Sequence, residues 1–365
     1  MIHKVLTVVG TRPNIIKITQ FEKVINSYPD IEHRLLHTGQ HFSHNMSDVF
    51  FTELSLKEPD FLLSLDKTTV VSQLSQMMQG IEQIIASYQP DLLVVVGDVN
   101  STLAAALTAN KMGIRLAHIE SGLRSFDRSM PEEINRIITD NLTDIFFVTE
   151  QSGIDNLLKE GKAKEQICFV GNTMIDTLVA YDSLIKASPI LSKLQLQPQS
   201  YALMTMHRPG NVDTKEGLLQ ILDIISELRR FSKIVFPLHP RTRNKLKESG
   251  LYQQIEEDVN VLLMEPVGYL DFQNLILHAS YVITDSGGIQ EETTFRKIPC
   301  ITLRPNTERP STIEIGSNTL LGFDKRGIIE TVEKIYNGTY KNCQIPSLWD
   351  GKATERIFEV ISQLD

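Results

Sequence analysis

The chain has 365 residues, 41% of them hydrophobic and 22% charged, which favours a globular protein with two domains rather than one core. Its formal net charge of −9 argues against a general nucleic-acid binder, although a few local cations could still hold an anionic small ligand. The cysteines Cys168, Cys300 and Cys343 lack C-x-x-C spacing, and no apolar run approaches the roughly 18 residues of a membrane span, so we expect a soluble cytoplasmic protein without disulfides or membrane segments.

In the first half of the chain, short apolar runs alternate with longer helical patterns, which indicates a parallel sheet covered by helices on both faces. The predicted strands span residues 4–10, 32–39, 91–98, 114–120 and 144–149, and the predicted helices span 14–27, 70–88, 101–111, 131–142 and 150–160.

The stretch 186–200 is polar, contains proline and has no periodicity, which is typical of a linker. Alternation then resumes, with predicted strands at 201–207, 233–239, 260–265, 281–285 and 299–303 and predicted helices at 215–230, 242–249, 269–279 and 287–296. We therefore predict two doubly wound domains, over residues 1–185 and 200–345, with a final helix in 346–365 packing back on the first domain. Ligands of such sheets bind beyond the carboxyl ends of the strands.

The usual nucleotide-binding fingerprints are missing. No G-x-G-x-x-G follows the first strand, where "VVGTRPN" offers one glycine, and the chain contains no G-x-x-x-x-G-K-[ST]. A dinucleotide or P-loop nucleotide is therefore disfavoured, and with it the simplest dehydrogenase hypothesis.

The stretch "TDSGGIQEE" (284–292) lies between a predicted strand and a predicted helix. Ser286, Gly287 and Gly288 could form an anion site, because the free N–H groups and dipole of a helix start attract negative charge. Glu292, one turn further on, could accept ribose hydroxyls. An ordinary capped corner explains the same residues equally well.

"GTRPNIIK" places Arg12 and Lys17 just beyond the first strand, where two cations suit a diphosphate. The competing interpretation is that Pro13 starts a helix and Arg12 is solvated. At the next rim positions, Asp98 in "GDVNST" and Glu120 in "HIESGLRS" follow neighbouring strands and suggest an acid/base pair. Their structural alternatives are a helix N-cap for Asp98 and an ion pair with Arg124 for Glu120.

In "RSMPEEINR", Ser129 and Glu132 fit a capping box, and Arg136 stands four residues after Glu132. On spacing alone, the structural interpretation of Glu132 is favoured over a catalytic one.

In the second half, His207 and Arg208 end one predicted strand and His239 ends the next, followed by Arg241 and Arg243. Histidines and arginines at parallel strand ends suggest an anion-binding surface. No H-x-x-x-H or cysteine partner supports zinc, so we predict no metal site. Arg309, in "NTERPSTIEIG", is either a further rim cation or part of a solvated surface turn.

Together these stretches resemble the non-hydrolysing UDP-N-acetylglucosamine 2-epimerases. The match runs in order from "GTRPNIIK" through "HTGQHF", "GDVNST", "HIESGLRS", "PEEINR", "GNTMID" and "HRPGN" to "DSGGIQEE" and "TERP", over nearly the whole chain. The resemblance implies two Rossmann-like domains of the GT-B kind around a deep cleft, usually in a homodimer, and a reaction that needs no cofactor.

The implied reaction interconverts UDP-GlcNAc and UDP-ManNAc. UDP leaves C1 as the C2 proton is abstracted, and UDP adds again to the 2-acetamidoglucal after C2 is protonated on its other face. The resemblance assigns catalysis to Asp98, Glu120, Glu132 and His207, which reverses the structural interpretation of Glu132. It assigns UDP binding to Arg12, Lys17, Phe272, Ser286, Gly287, Gly288, Glu292 and Arg309.

The chain also departs from the family pattern. "MHRPGN" replaces the Gly-His-Arg-Arg-Glu of many bacterial members, and Val267 replaces a glutamine at the uracil side. In some members a second, allosteric UDP-GlcNAc site involves the positions matching Gln40, His41, Arg208 and His239. "HTGQHFSHNMS" and "SFDRSMPEEINR" are also similar to epimerases of UDP-2,3-diacetamido-glucuronate, although those relatives tend to have Thr-Glu-Trp at "TERP". A hydrolysing epimerase that releases ManNAc is a further alternative.

Overall fold

The computed structural model of the chain describes residues 2–40, 51–66 and 69–365, so His41 lies outside the described residues. The chain divides into two compact units. Unit 1 comprises Met1–Ala180 together with Ser347–Asp365, and unit 2 comprises Tyr181–Pro346.

Unit 1 is built on a seven-stranded sheet of order β3-β2-β1-β4-β5-β6-β7, in which every neighbouring pair is parallel. Its strands are Lys4–Val9 (β1), Glu32–His37 (β2), Phe61–Leu62 (β3), Leu92–Val96 (β4), Arg115–Ile119 (β5), Ile145–Val148 (β6) and Ile167–Phe169 (β7). The central strand β4 reads LLVVV and is buried throughout, as expected for a parallel strand covered on both faces.

The helices of unit 1 before the crossing to unit 2 are Arg12–Ile16 (α1), Phe21–Ile25 (α2), Val70–Tyr88 (α3), Asn100–Met112 (α4), Pro131–Leu142 (α5), Gln151–Lys159 (α6) and Thr173–Ala180 (α7). The single helix predicted over 14–27 is wrong, because turns at 17–20 separate α1 from α2. Lys17 lies at this break, and its side chain is buried rather than solvated.

Unit 2 is built on a six-stranded, all-parallel sheet of order β10-β9-β8-β11-β12-β13. Its strands are Tyr201–Thr205 (β8), Lys233–Pro237 (β9), Val261–Met264 (β10), Tyr281–Thr284 (β11), Cys300–Thr302 (β12) and Asn318–Leu320 (β13). Its helices are Asp182–Lys186 (α8), Ile190–Lys193 (α9), Pro209–Val212 (α10), Lys215–Leu228 (α11), Pro240–Glu248 (α12), Tyr252–Glu256 (α13), Tyr269–His278 (α14), Gly287–Arg296 (α15), Pro310–Glu314 (α16) and Lys325–Tyr336 (α17).

The stretch predicted as a linker, 186–200, is folded into unit 2. Helix α9 lies within it, and Ile190 and Leu196 are buried in the same hydrophobic cluster as Tyr201 and Leu203. A few isolated apolar residues suffice for this docking, and they are too sparse to produce a periodic pattern in the sequence.

The final helix, Ala353–Ser362 (α18), packs on α2 and α7 of unit 1. Phe358 meets Phe21 edge-on, with ring centroids 5.2 Å apart. The Asp176 carboxylate accepts the backbone N–H groups of Ala353 and Thr354, at 3.0 and 2.6 Å, and so caps the first turn of α18. Residues 347–365 thus belong to the core of unit 1.

Both sheets have the strand order of a doubly wound fold, with a switch point between β1 and β4 in unit 1 and between β8 and β11 in unit 2. The predicted fold class, two doubly wound parallel-sheet units, is confirmed. Ligands of such sheets bind beside the switch point, and the segments that follow these four strands carry Arg12, Asp98, His207 and Ser286.

Candidate active site

At the switch point of unit 1, Asn14 ties the turn after β1 to the end of β4. Its Oδ1 accepts the backbone N–H of Thr11 at 3.2 Å, and its Nδ2 donates to the Val96 carbonyl at 3.0 Å. Thr11 is the N-cap of α1, which begins at Arg12, and Arg12 is half-buried. The predicted helix start at Pro13 is therefore present, and it leaves Arg12 at the rim of the sheet.

Glu120 and Lys17 form a buried ion pair at the end of β5. Lys17 Nζ donates to Glu120 Oε2, and the side chains are only 8% and 6% exposed. Glu120 has φ of +72°, a conformation that costs a non-glycine residue about 1–3 kcal/mol and is concentrated at functional sites. Gly97 lies against the pair, since a Cβ there would be 3.2 Å from Glu120 Oε2. Glu120 thus pairs with Lys17, while Arg124, four residues after Glu120, pairs with Asp140 and Glu160.

Asp98 is held by Arg136. Arg136 NH2 lies 2.6 Å from Asp98 Oδ2, and Arg136 NH1 lies 2.7 Å from Glu133 Oε2. Asp98 is 27% exposed, whereas the Arg136 side chain is 4% exposed. Helix α4 has Val99 as its N-cap, without a side-chain capping bond, so the N-cap explanation of Asp98 is wrong. The carboxylate is accessible and has a buried cation behind it.

The predicted capping box around Glu132 is also wrong. Helix α5 begins at Pro131 with Met130 as N-cap, and no side chain caps it, while Ser129 bonds to Asp127 instead. Arg136 pairs with Glu133, which is buried and also accepts from the backbone of Ser125. Glu132 is half-buried in the first turn of α5, and the capping role that the sequence favoured for it does not apply.

Behind these acids lies a buried charged network that sequence analysis did not find. His118 Nδ1 is 2.7 Å from Asp140 Oδ1, and His118 Nε2 is 2.8 Å from the Gly97 carbonyl oxygen. Asp140 Oδ2 in turn meets Arg124 NH1 at 2.7 Å, and Arg124 NH2 meets Glu160 at 2.7 Å. The contacts join residues 16 to 36 positions apart, so no local pattern signals them.

Gln40 lies at the end of β2, beside the start of α4. Its Oε1 accepts from the backbone N–H and the hydroxyl of Ser101, at 2.9 and 2.6 Å. Gln40 thus belongs to unit 1, whereas Arg208 and His239, predicted with it to form a second site, belong to unit 2.

In unit 2, Asp285 organises the turn that carries His207. The carboxylate lies 2.9 Å from His207 Nδ1 and accepts the backbone N–H groups of His207 and Arg208. It is fully buried, which would raise its pKa, but the bonds from His207 and Arg208 outweigh burial and hold the pKa of Asp285 below its usual value. His207 keeps a 37% exposed side chain, with Nδ1 fixed by a carboxylate.

His239 has a structural role in the described chain. Its Nδ1 accepts the backbone N–H of Arg241 at 3.2 Å and caps α12, and its ring centroid is 5.7 Å from that of His207. Burial, together with the neighbouring His207, lowers the pKa of His239. Arg241 is bound by both oxygens of Asp213, at 2.7 and 2.5 Å, and Arg243 pairs with Glu265. Asp213 and Glu265 therefore largely neutralise Arg241 and Arg243, two cations of the predicted anion-binding surface.

The turn after β11 has the form of an anion site. Ser286 is the N-cap of α15, and its side chain makes no capping bond. Arg309, only 7% exposed, lies over this helix start, because a Cβ on Gly287 would be 2.8 Å from Arg309 NH1. Helix dipole, glycine and guanidinium thus converge at one point. The solvated-turn explanation of Arg309 is wrong.

The other predicted nucleotide contacts lie in the same unit. Glu292 is 5% exposed in α15, and Phe272 is half-buried in α14, against the cluster that contains Leu275 and Ile289. Over the residues that the structure describes, no group of three or more His, Cys, Asp or Glu side chains could hold a metal ion. Nor does any helix in those ranges have the length and apolar character needed to cross a bilayer.

Comparison with known proteins identifies the family. The family model described as UDP-N-acetylglucosamine 2-epimerase matches residues 23–362. The chain belongs to this family. A UDP-N-acetylglucosamine 2-epimerase of Methanococcus maripaludis is 42% identical over 339 residues, which cover 91% of this chain and 92% of the relative.

The UDP-2,3-diacetamido-2,3-dideoxy-D-glucuronate 2-epimerase of Pseudomonas aeruginosa is 37% identical over 365 residues, 99% of this chain and 100% of the relative. Among solved structures, the UDP-GlcNAc 2-epimerase of Methanocaldococcus jannaschii, in complex with UDP-GlcNAc and UDP, matches with a TM-score of 0.91 and 40% identity, over 98% of this chain and 99% of that one. A lipopolysaccharide outer core galactosyltransferase matches with a TM-score of 0.53 at 14% identity, a likeness of fold alone that agrees with the predicted GT-B class. The resemblance on which the sequence analysis relied is confirmed.

Proposed function

We propose that this family member epimerises C2 of UDP-GlcNAc reversibly to UDP-ManNAc. The observation that carries the proposal is the pair of carboxylates at neighbouring strand ends, each backed by a buried cation: Asp98 by Arg136 and Glu120 by Lys17. The register of β4 on β5 pairs Val96 with Ile119, which brings the segments with these two acids side by side. The family relationship supplies the substrate class.

Inversion at C2 needs one group to remove a proton and another to return one to the opposite face. In the forward direction the C2–H and C1–O bonds break, a C1–C2 double bond forms, and UDP leaves with the electron pair of the C1–O bond. We assign the two proton transfers to Asp98, Glu120 and Glu132 in unit 1. The paired cations hold the Asp98 and Glu120 carboxylates in fixed positions. Carboxylates preorganised in this way suit an enzyme that transfers protons, whereas a protein that only binds the substrate does not need them.

Unit 2 supplies the nucleotide site in this proposal. The start of α15 and Arg309 would hold the diphosphate, whose charge increases as it leaves C1. His207, oriented by Asp285, has Nε2 as the ring nitrogen available for a phosphate oxygen. Glu292 would accept the ribose hydroxyls, and Phe272 would lie on the uracil side.

The test is incubation with UDP-GlcNAc in D2O, followed by NMR at C2. The expected result is deuterium at C2 with UDP-ManNAc as product. The absence of C2 exchange in either direction would contradict the proposal, and accumulation of free ManNAc with UDP would indicate a hydrolysing epimerase instead.

A second candidate substrate is UDP-2,3-diacetamido-glucuronate. The Pseudomonas relative named for that reaction is 37% identical over essentially full length, close to the identity of the UDP-GlcNAc enzymes. Parallel measurements of kcat/KM for C2 exchange on both sugar nucleotides decide between them, and preference for the uronate would reassign the substrate without changing the chemistry.

The homodimer and the cytoplasmic location implied by the resemblance stay predictions. Light scattering coupled to size-exclusion chromatography measures the first, and cell fractionation measures the second.

A further inference from the structure

His118 links the buried network to the backbone that carries Asp98. It lies in β5, two residues before Glu120, and its Nε2 reaches the carbonyl oxygen of Gly97, the residue before Asp98. The ring is fully buried, as is its partner Asp140.

Both ring nitrogens of His118 face oxygen atoms. The Gly97 carbonyl can only accept, so Nε2 must carry a proton to bond at 2.8 Å. The proton between Nδ1 and Asp140 Oδ1, 2.7 Å apart, could belong to either group.

The hydrogen-bond donors around Asp140 indicate which of the two groups carries this proton. Its other oxygen accepts the Gly122 N–H at 3.1 Å and meets Arg124 NH1 at 2.7 Å, both of which are donors. Burial raises the pKa of Asp140, but His118 and Arg124 outweigh it and the net shift is downward. Because a guanidinium and a backbone N–H both donate to Asp140 Oδ2, Asp140 is best placed to be the carboxylate, and Nδ1 then carries a proton as well.

We infer that His118 is a buried imidazolium that acts as a positioning residue, fixing the Gly97 carbonyl and so the Asp98 and Glu120 carboxylates on either side of it. The inference deepens the proposed function and rests on it. The charges of the network then balance, because His118 and Arg124 are its two cations and Asp140 and Glu160 are its two anions. With Asp140 ionised, a neutral imidazole could donate to only one of its two acceptors and would leave the other buried and unsatisfied.

Gly97 explains why this bond matters for catalysis. It has φ of +67°, and a Cβ at this position would be 3.2 Å from Glu120 Oε2 and 3.4 Å from Lys17 Nζ. The Gly97 backbone therefore packs directly against the Lys17–Glu120 pair. A rotation of the peptide after Gly97 would therefore move Asp98 directly and Glu120 through contact. A displacement of about 1 Å in such groups costs about 100-fold in rate.

The first measurement counts protons on the ring and does not depend on any substrate. In 15N-histidine-labelled protein at pH 8, we expect two N–H signals from one ring, both absent from the His118→Gln variant. His33 is the control, because it is a half-buried histidine of the same sheet whose Nε2 meets the Thr7 hydroxyl at 2.9 Å. Burial lowers its pKa to about 4, so it should show a single N–H.

The second measurement is C2 exchange by the full-length protein. His118→Gln should lose about 100-fold in kcat, with KM and UDP affinity unchanged, and should shift the backbone amide signals of Gly97 and Asp98. His33→Gln should exchange at the wild-type rate. Asp140→Asn, which removes the counter-charge, should repeat the loss in kcat if His118→Gln does not fold.

A single ring N–H on His118, or wild-type exchange by both variants, would overturn the inference. If the wild-type protein itself shows no C2 exchange, the proposed function fails. The ring-proton count and the amide shifts of Gly97 and Asp98 would then still decide the state and the positioning role of His118.

Discussion

Removing one partner of the Lys17–Glu120 pair should destabilise the fold more than removing one partner of a surface ion pair. Both side chains are more than nine-tenths buried, so the substitution Lys17→Met leaves a carboxylate in a poorly solvated site without the cation that contacts it. Removing one partner of such a pair costs about 3–5 kcal/mol in the free energy of unfolding. For a unit of about 200 residues, 1 kcal/mol corresponds to about 2–4 °C in Tm, so unit 1 should melt about 6–20 °C lower.

Calorimetry on the wild type, Lys17→Met, Glu120→Gln and the double variant measures this effect. The double variant should recover most of the loss, because neutral side chains of similar shape need no counter-charge. A loss below about 1 kcal/mol in Lys17→Met, or a double variant no more stable than the single one, would show that the pair behaves as a solvated one and would refute the reasoning.

Asp98→Asn should abolish C2 exchange while UDP affinity, measured by calorimetry, stays near the wild-type value; a lost affinity would make Asp98 a binding residue. Gly287→Ala should weaken UDP binding about 10- to 100-fold, because the new methyl group displaces the Arg309 guanidinium and one charge-assisted bond is worth about 1.5–3 kcal/mol. Gly210→Ala, whose Cβ meets nothing within 4 Å, is the control and should bind UDP normally. The lowered pKa of Asp285 gives stability that is present above the ordinary carboxyl value of 3.8 and lost as pH falls through the folded value. Acid titration of Tm should show this loss in the wild type and a weaker one in Asp285→Asn; equal slopes would contradict the assignment.

The sequence was sufficient for the fold and for the location of the strand-end acids. Buried parallel strands are continuous apolar runs, and the ligands of such sheets bind beyond the carboxyl ends of these runs. Asp98 and Glu120 could therefore be placed at neighbouring strand ends without a structure. The helices over 70–88, 131–142 and 287–296 were predicted with the same bounds because their apolar periodicity and flanking residues agree.

Short elements escaped prediction for a physical reason. Strands β3, β7 and β13 have two or three residues each, so their stability comes from the edge to which they pair and not from their own side chains. The break between α1 and α2 was missed similarly, since the apolar pattern continues across it.

The sequence also could not predict which charged side chains pair with each other. The structure pairs Arg136 with Glu133 and, 38 residues away, with Asp98, and its i, i+4 spacing from Glu132 predicts neither contact. The contact between His118 and Asp140 likewise depends on how α5 lies against β5. Such pairs are set by tertiary packing, which a one-dimensional pattern does not encode.

The C-terminal helix α18 makes the order of synthesis matter. Unit 1 contributes residues from both sides of unit 2, so the ribosome completes all of Tyr181–Pro346 before Phe358 can reach Phe21. Until then the apolar face of α2 and the carboxylate of Asp176 lack the segment that they bind in the finished protein. Unit 2 can therefore fold during translation, while unit 1, with its proposed proton-transfer residues, matures only after the last helix has been made.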